Sequence, residues 1–161
     1  MLDPRGMCRS LRGPAARPGY TIIEMLAAMA VIGFLAGFAV PRFRGVSERA
    51  KVARAIGDIR SLQADLMALE TQGRLPANLA AIGRGGMTDP WGNPYIYVRF
   101  PPGPPPPGAR VDRFGVPINT SFDLYSFGPD GSSAVSLVAG ASLDDITRAN
   151  DGGYTGEAWK Y

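Results

Sequence analysis

The stretch that most limits how this chain can fold is residues 20–40, YTIIEMLAAMAVIGFLAGFAV, closed by Pro41 and carrying one charged side chain, Glu24. As a helix rising ~1.5 Å per residue it reaches ~31 Å, the thickness of a lipid hydrocarbon core. A secretory signal would end its apolar part after ~7–15 residues at a small-x-small cleavage site. Here the run is longer and leads into Pro41, Arg42, Phe43 and Arg44. The run therefore predicts a membrane-spanning helix over 20–41. Glu24 is what a plain anchor leaves unexplained. An acid at the centre of such a helix costs ~2.5–3.5 kcal/mol, less toward an end, and calls for a cationic partner. Cutting the chain before Tyr20 would create one, a terminal ammonium close in sequence to Glu24.

Charge and composition narrow the rest. Of 17 basic and 14 acidic side chains, Arg5, Arg9, Arg12, Arg17 and Asp3 lie in the leading segment, so the remaining chain is balanced. The basic pI belongs to the leader, and a nucleic-acid partner is not expected. The one cysteine, Cys8, lies there too, so a chain cut before Tyr20 forms no disulfide. There is no histidine, which excludes imidazole zinc sites and histidine-based catalysis. No nucleophile motif or phosphate-binding glycine loop is present. The chain is not read as an enzyme.

With these residues in view, Arg17-Pro18-Gly19 followed by Tyr20-Thr21-Ile22-Ile23-Glu24-Met25-Leu26 resembles the processing motif of type IV prepilins and type II secretion pseudopilins. The resemblance implies that a prepilin peptidase cuts between Gly19 and Tyr20 and methylates the new terminus. Glu24 and Pro41 stand where that family carries its acid and its proline; Tyr20 departs from the usual phenylalanine but keeps an aromatic ring. Glu24 of an incoming subunit would then attract the ammonium of a docked one and set axial register. Gly33 and Gly37 form a GxxxG pair, which lets membrane helices pack closely or is simply tolerated in one. Gly33, Gly37 and Pro41 also weaken a helix, and in the resembled filaments this stretch can lose helical structure.

Beyond the run, Val46, Ala53, Ile56, Ile59, Leu62, Leu66 and Leu69 recur at mostly three- and four-residue steps, predicting an amphipathic helix over 42–73 stopped by Gly73 and Pro76. The second half is rich in glycine and proline. Residues 88–95 read as consecutive turns. Residues 95–98, 122–127 and 134–138 are the predicted strands, and proline-rich 101–107 is a surface loop. The closing aromatics, Tyr154, Trp159 and Tyr161, either dock back on the sheet or serve lateral contacts. The expected fold is α+β: a long N-terminal helix packed on a small C-terminal antiparallel sheet. Its parts are a cleaved leader (1–19), a membrane or filament-core helix (20–41), an amphipathic helix (42–73) and a loop-rich β domain (74–161).

Two further stretches, Asp89-Pro90-Trp91-Gly92-Asn93-Pro94-Tyr95 and Phe122-Asp123-Leu124-Tyr125-Ser126-Phe127-Gly128-Pro129-Asp130-Gly131, are similar to the major pseudopilin subfamily of type II secretion. Residues 101–120 and 132–142 depart from it in length and composition. That subfamily binds calcium in its C-terminal loop, which implies the backbone carbonyl of Phe127 and the side chains of Asp130, Asp144 and Asp145 as ligands. The same residues also read as a solvated Asp-Gly turn followed by a helix N-terminus at 142–145.

The resemblance implies a structural subunit made as an inner-membrane precursor, single-pass, with its C-terminal domain in the periplasm. It would polymerise with itself and with other pseudopilins on an inner-membrane assembly platform powered by a cytoplasmic ATPase, in contact with membrane lipid. The filament would help move folded proteins across the outer membrane. The alternative is a type IV pilus pilin, or a minor pseudopilin, serving adhesion, motility or DNA uptake.

Overall fold

The computed structural model describes residues 19–161, and for residues 39–44 it describes the backbone alone. Apart from Gly19, the expected leader lies outside the described residues. The chain falls into two compact units that meet between Arg42 and Phe43. One helix, α1 (Ile22–Glu70), begins in the first and ends in the second.

In the first unit α1 has no polar face. Ile22, Ile23, Leu26, Met29, Ile32, Phe34, Leu35 and Phe38 are all exposed. Phe34 and Phe38 touch edge to face at 4.9 Å, one turn apart. The helix runs unbroken through Gly33, Gly37 and Pro41. The loss of helix allowed there by those residues does not occur in the single chain. Among the described residues no helix is long and apolar enough to cross a membrane. Within the first unit the described side chains stop at Phe38, so the end of the apolar run, up to Pro41, falls outside them.

In the second unit the helix gains a sharp apolar face. Ala55, Ile59, Leu62 and Leu66 have no exposed surface, and Val52 and Ile56 pack at their edge. The steps of four, three and four place them on one stripe. This corrects the expected stripe: Val46 and Ala53 lie on the exposed side, and Ala55 takes the buried place. The irregular early spacing in the sequence came from joining two faces. The helix stops at Glu70, three residues before the predicted end. Gly73, at φ 67°, donates to the Glu70 carbonyl at 2.8 Å, and Arg74 donates to that of Leu69 at 2.9 Å. These two bonds are the glycine-centred closure that satisfies the last helical carbonyls.

Four strands follow among the described residues: β1 (Ile96–Arg99), β2 (Phe122–Ser126), β3 (Ile146–Ala149) and β4 (Tyr154–Glu157). They form one antiparallel sheet in the order β1-β2-β3-β4, with Ile96 opposite Tyr125, Tyr125 opposite Thr147 and Ile146 opposite Glu157. Phe122, Leu124 and Ile146 share the main core with the helix stripe. Asp123 and Tyr125, on the other face of β2, are met by Arg110. A smaller core of Ile118, Leu137, Ala149 and Ala158 lies outside the main one. β2 is thus covered on both faces, and its burial is nearly continuous.

The predicted strand at 134–138 is not formed. Val111 makes a single bridge to Ser136, and its carbonyl accepts from Leu137 at 2.9 Å. β3 and β4 take its place. Their sequences, ITRA and YTGE, each hold two strand-favouring residues but are too short and mixed to stand out, and pairing supplies the rest. The closing aromatic segment docks back through β4, while Trp159 stays exposed.

The phase of the helix stripe gives a direct test. Ala55→Leu forces extra volume into a closed core and destabilises by about 1–3 kcal/mol, whereas Ala53→Leu on the exposed side changes stability by less than about 0.5 kcal/mol. Chemical unfolding of both chains, followed by circular dichroism, measures the difference.

Candidate functional site

The bond between Gly19 and Tyr20 lies before the helix, in chain without regular structure, and Tyr20 is exposed. Thr21 caps the helix. Its hydroxyl accepts from the Glu24 amide at 3.3 Å, and Glu24 Oε2 accepts from the Thr21 amide and hydroxyl at 2.8 and 2.9 Å. This reciprocal arrangement is a capping box. It satisfies two donors at a helix end and gives the isolated carboxylate a partner inside its own chain. Both bonds from Thr21 go to Oε2. The signal was legible, since Thr-x-x-Glu precedes an apolar run, but the partner expected for the acid was an ammonium at Tyr20, of its own chain or of a neighbour, and not Thr21. Gly33 and Gly37 have nothing within 4 Å of where a Cβ would sit, so that face is open. The side chain of Pro41 lies outside the described residues.

The two stretches that carry the subfamily resemblance are bonded to each other. Asp89 is nearly buried. Its Oδ1 accepts from the amides of Trp91 and Asn93 at 3.0 and 2.8 Å, and its Oδ2 from the Ser126 hydroxyl at 2.6 Å. Asn93 Nδ2 then donates to the Gly128 carbonyl at 3.1 Å. The turn is fastened to the helix as well. The Tyr95 hydroxyl donates to Asp58 at 2.8 Å, and the Trp91 indole donates to Glu48 at 3.1 Å. Burial, then Asp58, push the Tyr95 phenol above its usual range.

The loop between β2 and β3 holds the residues implied for calcium. Gly128 has φ 67°, and a Cβ there would collide with the carbonyl of Asp144, so only glycine fits. The Asp130 amide donates to Asp144 Oδ2 at 3.1 Å, and Asp130 Oδ1 accepts from the Ser132 amide at 2.8 Å. The structure therefore brings Asp130 and Asp144 together beside Gly128. Asp145 is fully buried and goes elsewhere. Its Oδ2 accepts from Arg110 Nη2 at 2.5 Å and from the Ser133 hydroxyl at 2.6 Å. Its Oδ1 has no partner among the described residues. Burial pushes the Asp145 carboxyl up, against the pull of Ser133 and Arg110. Among the described residues no three acidic side chains converge as a metal centre. The helix N-terminus alternative at 142–145 is not formed: a short 3-10 turn, Gly140–Ser142, ends there, and the Ser142 hydroxyl accepts from the Ala134 amide.

Sequence reasoning missed Arg110. It lies in residues 101–120, with no pattern to single it out. Its guanidinium stacks 4.1 Å from the Tyr125 ring centre, and Nη1 donates to the Ser133 hydroxyl at 2.7 Å. Its amide donates to Asp123 Oδ2 at 2.8 Å. Asp123, also buried, is completed by Asn119, whose Nδ2 donates to Oδ1 at 2.9 Å. Arg148 lies 4.0 Å over the Phe122 ring and donates to Asn119 Oδ1 at 2.9 Å.

Comparison with known proteins points to one family. The prokaryotic N-terminal methylation motif matches residues 15–40. The chain is 31% identical over 140 residues to the type II secretion system core protein G of Pseudomonas aeruginosa, covering 73% of this chain and 87% of the relative. It is 29% identical over 159 residues to the core protein G of Escherichia coli, covering 85% and 94%. A fimbrial protein of Pseudomonas aeruginosa is 35% identical over 48 residues, 30% of this chain and 31% of the relative. No solved structure gives a significant match.

The Asp89 hub gives a test of how the two stretches are joined. Asp89→Ala leaves two amides and a hydroxyl without their acceptor and destabilises by about 2–3 kcal/mol. Ser126→Ala costs less. The double variant falls short of the sum of the two in an unfolding cycle, because both changes break one bond.

Proposed function

The chain belongs to the family of the type II secretion system core protein G, and from this membership we infer that it is a structural subunit, the major pseudopilin, of the periplasmic pseudopilus. The observation that carries the reading lies in the first unit. Its helix is apolar on every side, carries one acid, and leaves its large side chains uncovered in the single chain. A segment of that kind is stable only among lipid tails or other such helices. The precursor would be anchored in the inner membrane by residues 20–41, with the second unit in the periplasm. A prepilin peptidase would cut between Gly19 and Tyr20 and methylate Tyr20. Polymerisation would take place on an inner-membrane platform powered by a cytoplasmic ATPase, with other pseudopilins joining the filament. The work is mechanical, helping folded proteins across the outer membrane, and needs no catalytic group. The surface-pilus alternative has less support: similarity to the fimbrial protein covers 30% of the chain, against 73% for core protein G.

In this reading Glu24 has two successive partners. Before assembly Thr21 occupies Oε2. In the filament the carboxylate would turn to the terminal ammonium of a neighbour. In low dielectric such a pair is strong, but desolvation opposes it, so its principal effect is register. Gly33 and Gly37 would allow close helix approach, and Pro41 would mark where the buried helix ends.

Calcium belongs to the same proposal. Its ligands would be the Phe127 carbonyl, Asp130, Asp144 and the unpartnered Oδ1 of Asp145. The contact between Asp130 and Asp144 and that buried unsatisfied oxygen support it. Calcium takes six to eight oxygens on a bendable loop and would supply charge neutralisation there.

Three measurements test this. Mass spectrometry of chain purified from the cell envelope should find a terminus at Tyr20 carrying one methyl group. A terminus that retains the leader overturns the reading. Glu24→Val should be cleaved normally yet lose filament yield at least about tenfold. For calcium, a hundredfold excess over its Kd should stabilise the chain by about 2.7 kcal/mol, and Asp130→Ala should abolish the gain. An unchanged melting temperature removes calcium from the account.

A further inference from the structure

Residues 101–108 form a proline-rich surface loop, and the chain becomes buried at Ala109 and Arg110. The Arg110 side chain then makes three contacts with three separate stretches. It stacks on Tyr125 of β2, donates to Ser133 in the loop after β2, and pairs with Asp145 just before β3. Between β2 and β3 the chain leaves the sheet and returns, and the guanidinium sits where its two ends come together. A guanidinium suits this place because it stays charged, presents a rigid fork of donors and stacks on rings. The pair is almost wholly desolvated, with side chains 3% and 0% exposed. Neutralising a loop acid and joining the two ends of the loop is the work that a bound cation would otherwise do.

We propose that Arg110 is the resident cation of this C-terminal loop, holding Ser133 and Asp145 against β2 so that the loop is ordered before any metal binds. Calcium adds to a loop already closed; this second part rests on the calcium reading above, and the first does not. Residues 101–120 depart from the subfamily in length and composition, and they deliver the guanidinium. Arg110 is a positioning residue: it leaves Asp145 Oδ1 open and takes Oδ2 alone.

The test uses the full processed chain in detergent micelles, with melting followed in excess chelator and then in calcium. In chelator, Arg110→Gln lowers the Tm by about 5 °C or more. Arg110→Lys, which keeps charge but loses the planar fork, falls between it and the parent. In an Asp145→Asn background Arg110→Gln costs less than about half as much, because no carboxylate remains to be neutralised. Additive losses overturn the proposal, as does rapid amide exchange across residues 128–145 of the chelated parent. If Arg110→Gln does not accumulate folded, the lysine variant decides: a chain as stable as the parent in chelator overturns it. In calcium the glutamine variant recovers more than the parent gains. If neither chain responds to calcium, the calcium reading fails, and the coupling measured in chelator still decides the role of Arg110.

Discussion

Three carboxylates are buried in the second unit, and most of its loop architecture follows from keeping them bonded. Asp89, Asp123 and Asp145 are at most 4% exposed. A desolvated carboxylate without donors costs several kcal/mol, so each must be met by hydrogen bonds. Donors come largely from other segments: Ser126 for Asp89, Arg110 for Asp123 together with Asn119 four residues away, and Arg110 and Ser133 for Asp145. Each acid therefore ties a loop to the sheet. Removing one partner strands the other in low dielectric, which makes these contacts mutually dependent.

The two units solve opposite problems. The second covers its own sheet, with the helix stripe on one face and residues from 109 onward on the other. Even β2, an alternating apolar and polar strand, is buried on both sides because Asp123 finds its donors. The first unit covers little: among its described side chains the one charge, Glu24, is tied to Thr21, and the large apolar side chains of the helix lie exposed. An apolar surface left open in this way is costly in water, which fits a family whose members assemble into a pseudopilus.

Much was legible in the chain. The apolar run with its one acid foretold the exposed apolar stretch of α1. Gly73 foretold the helix stop, and the pattern over 122–127 foretold β2, which ends one residue earlier. What failed did so for particular reasons. The helix face was mis-phased because alanine reads as apolar wherever it sits, and only packing distinguished Ala55 from Ala53. The strand expected at 134–138 looked sound by composition, yet β3 took the place beside β2 and β4 the place beside β3. Edge pairing depends on which segments reach the sheet, and that is a property of the whole chain.

By itself the sequence determined the parts set by local chemistry. These are an uninterrupted apolar helix, a capped start at Thr21, a glycine-closed stop, and turns built from Asp, Asn, Gly and Pro. Each rests on neighbours within a few residues, so order along the chain suffices. The tertiary structure alone decided that Arg110 faces Asp145, that Asp89 joins two separate turns, and that a strand of modest propensity completes the sheet. Those outcomes depend on desolvation, which has no value until distant segments have come together and excluded water.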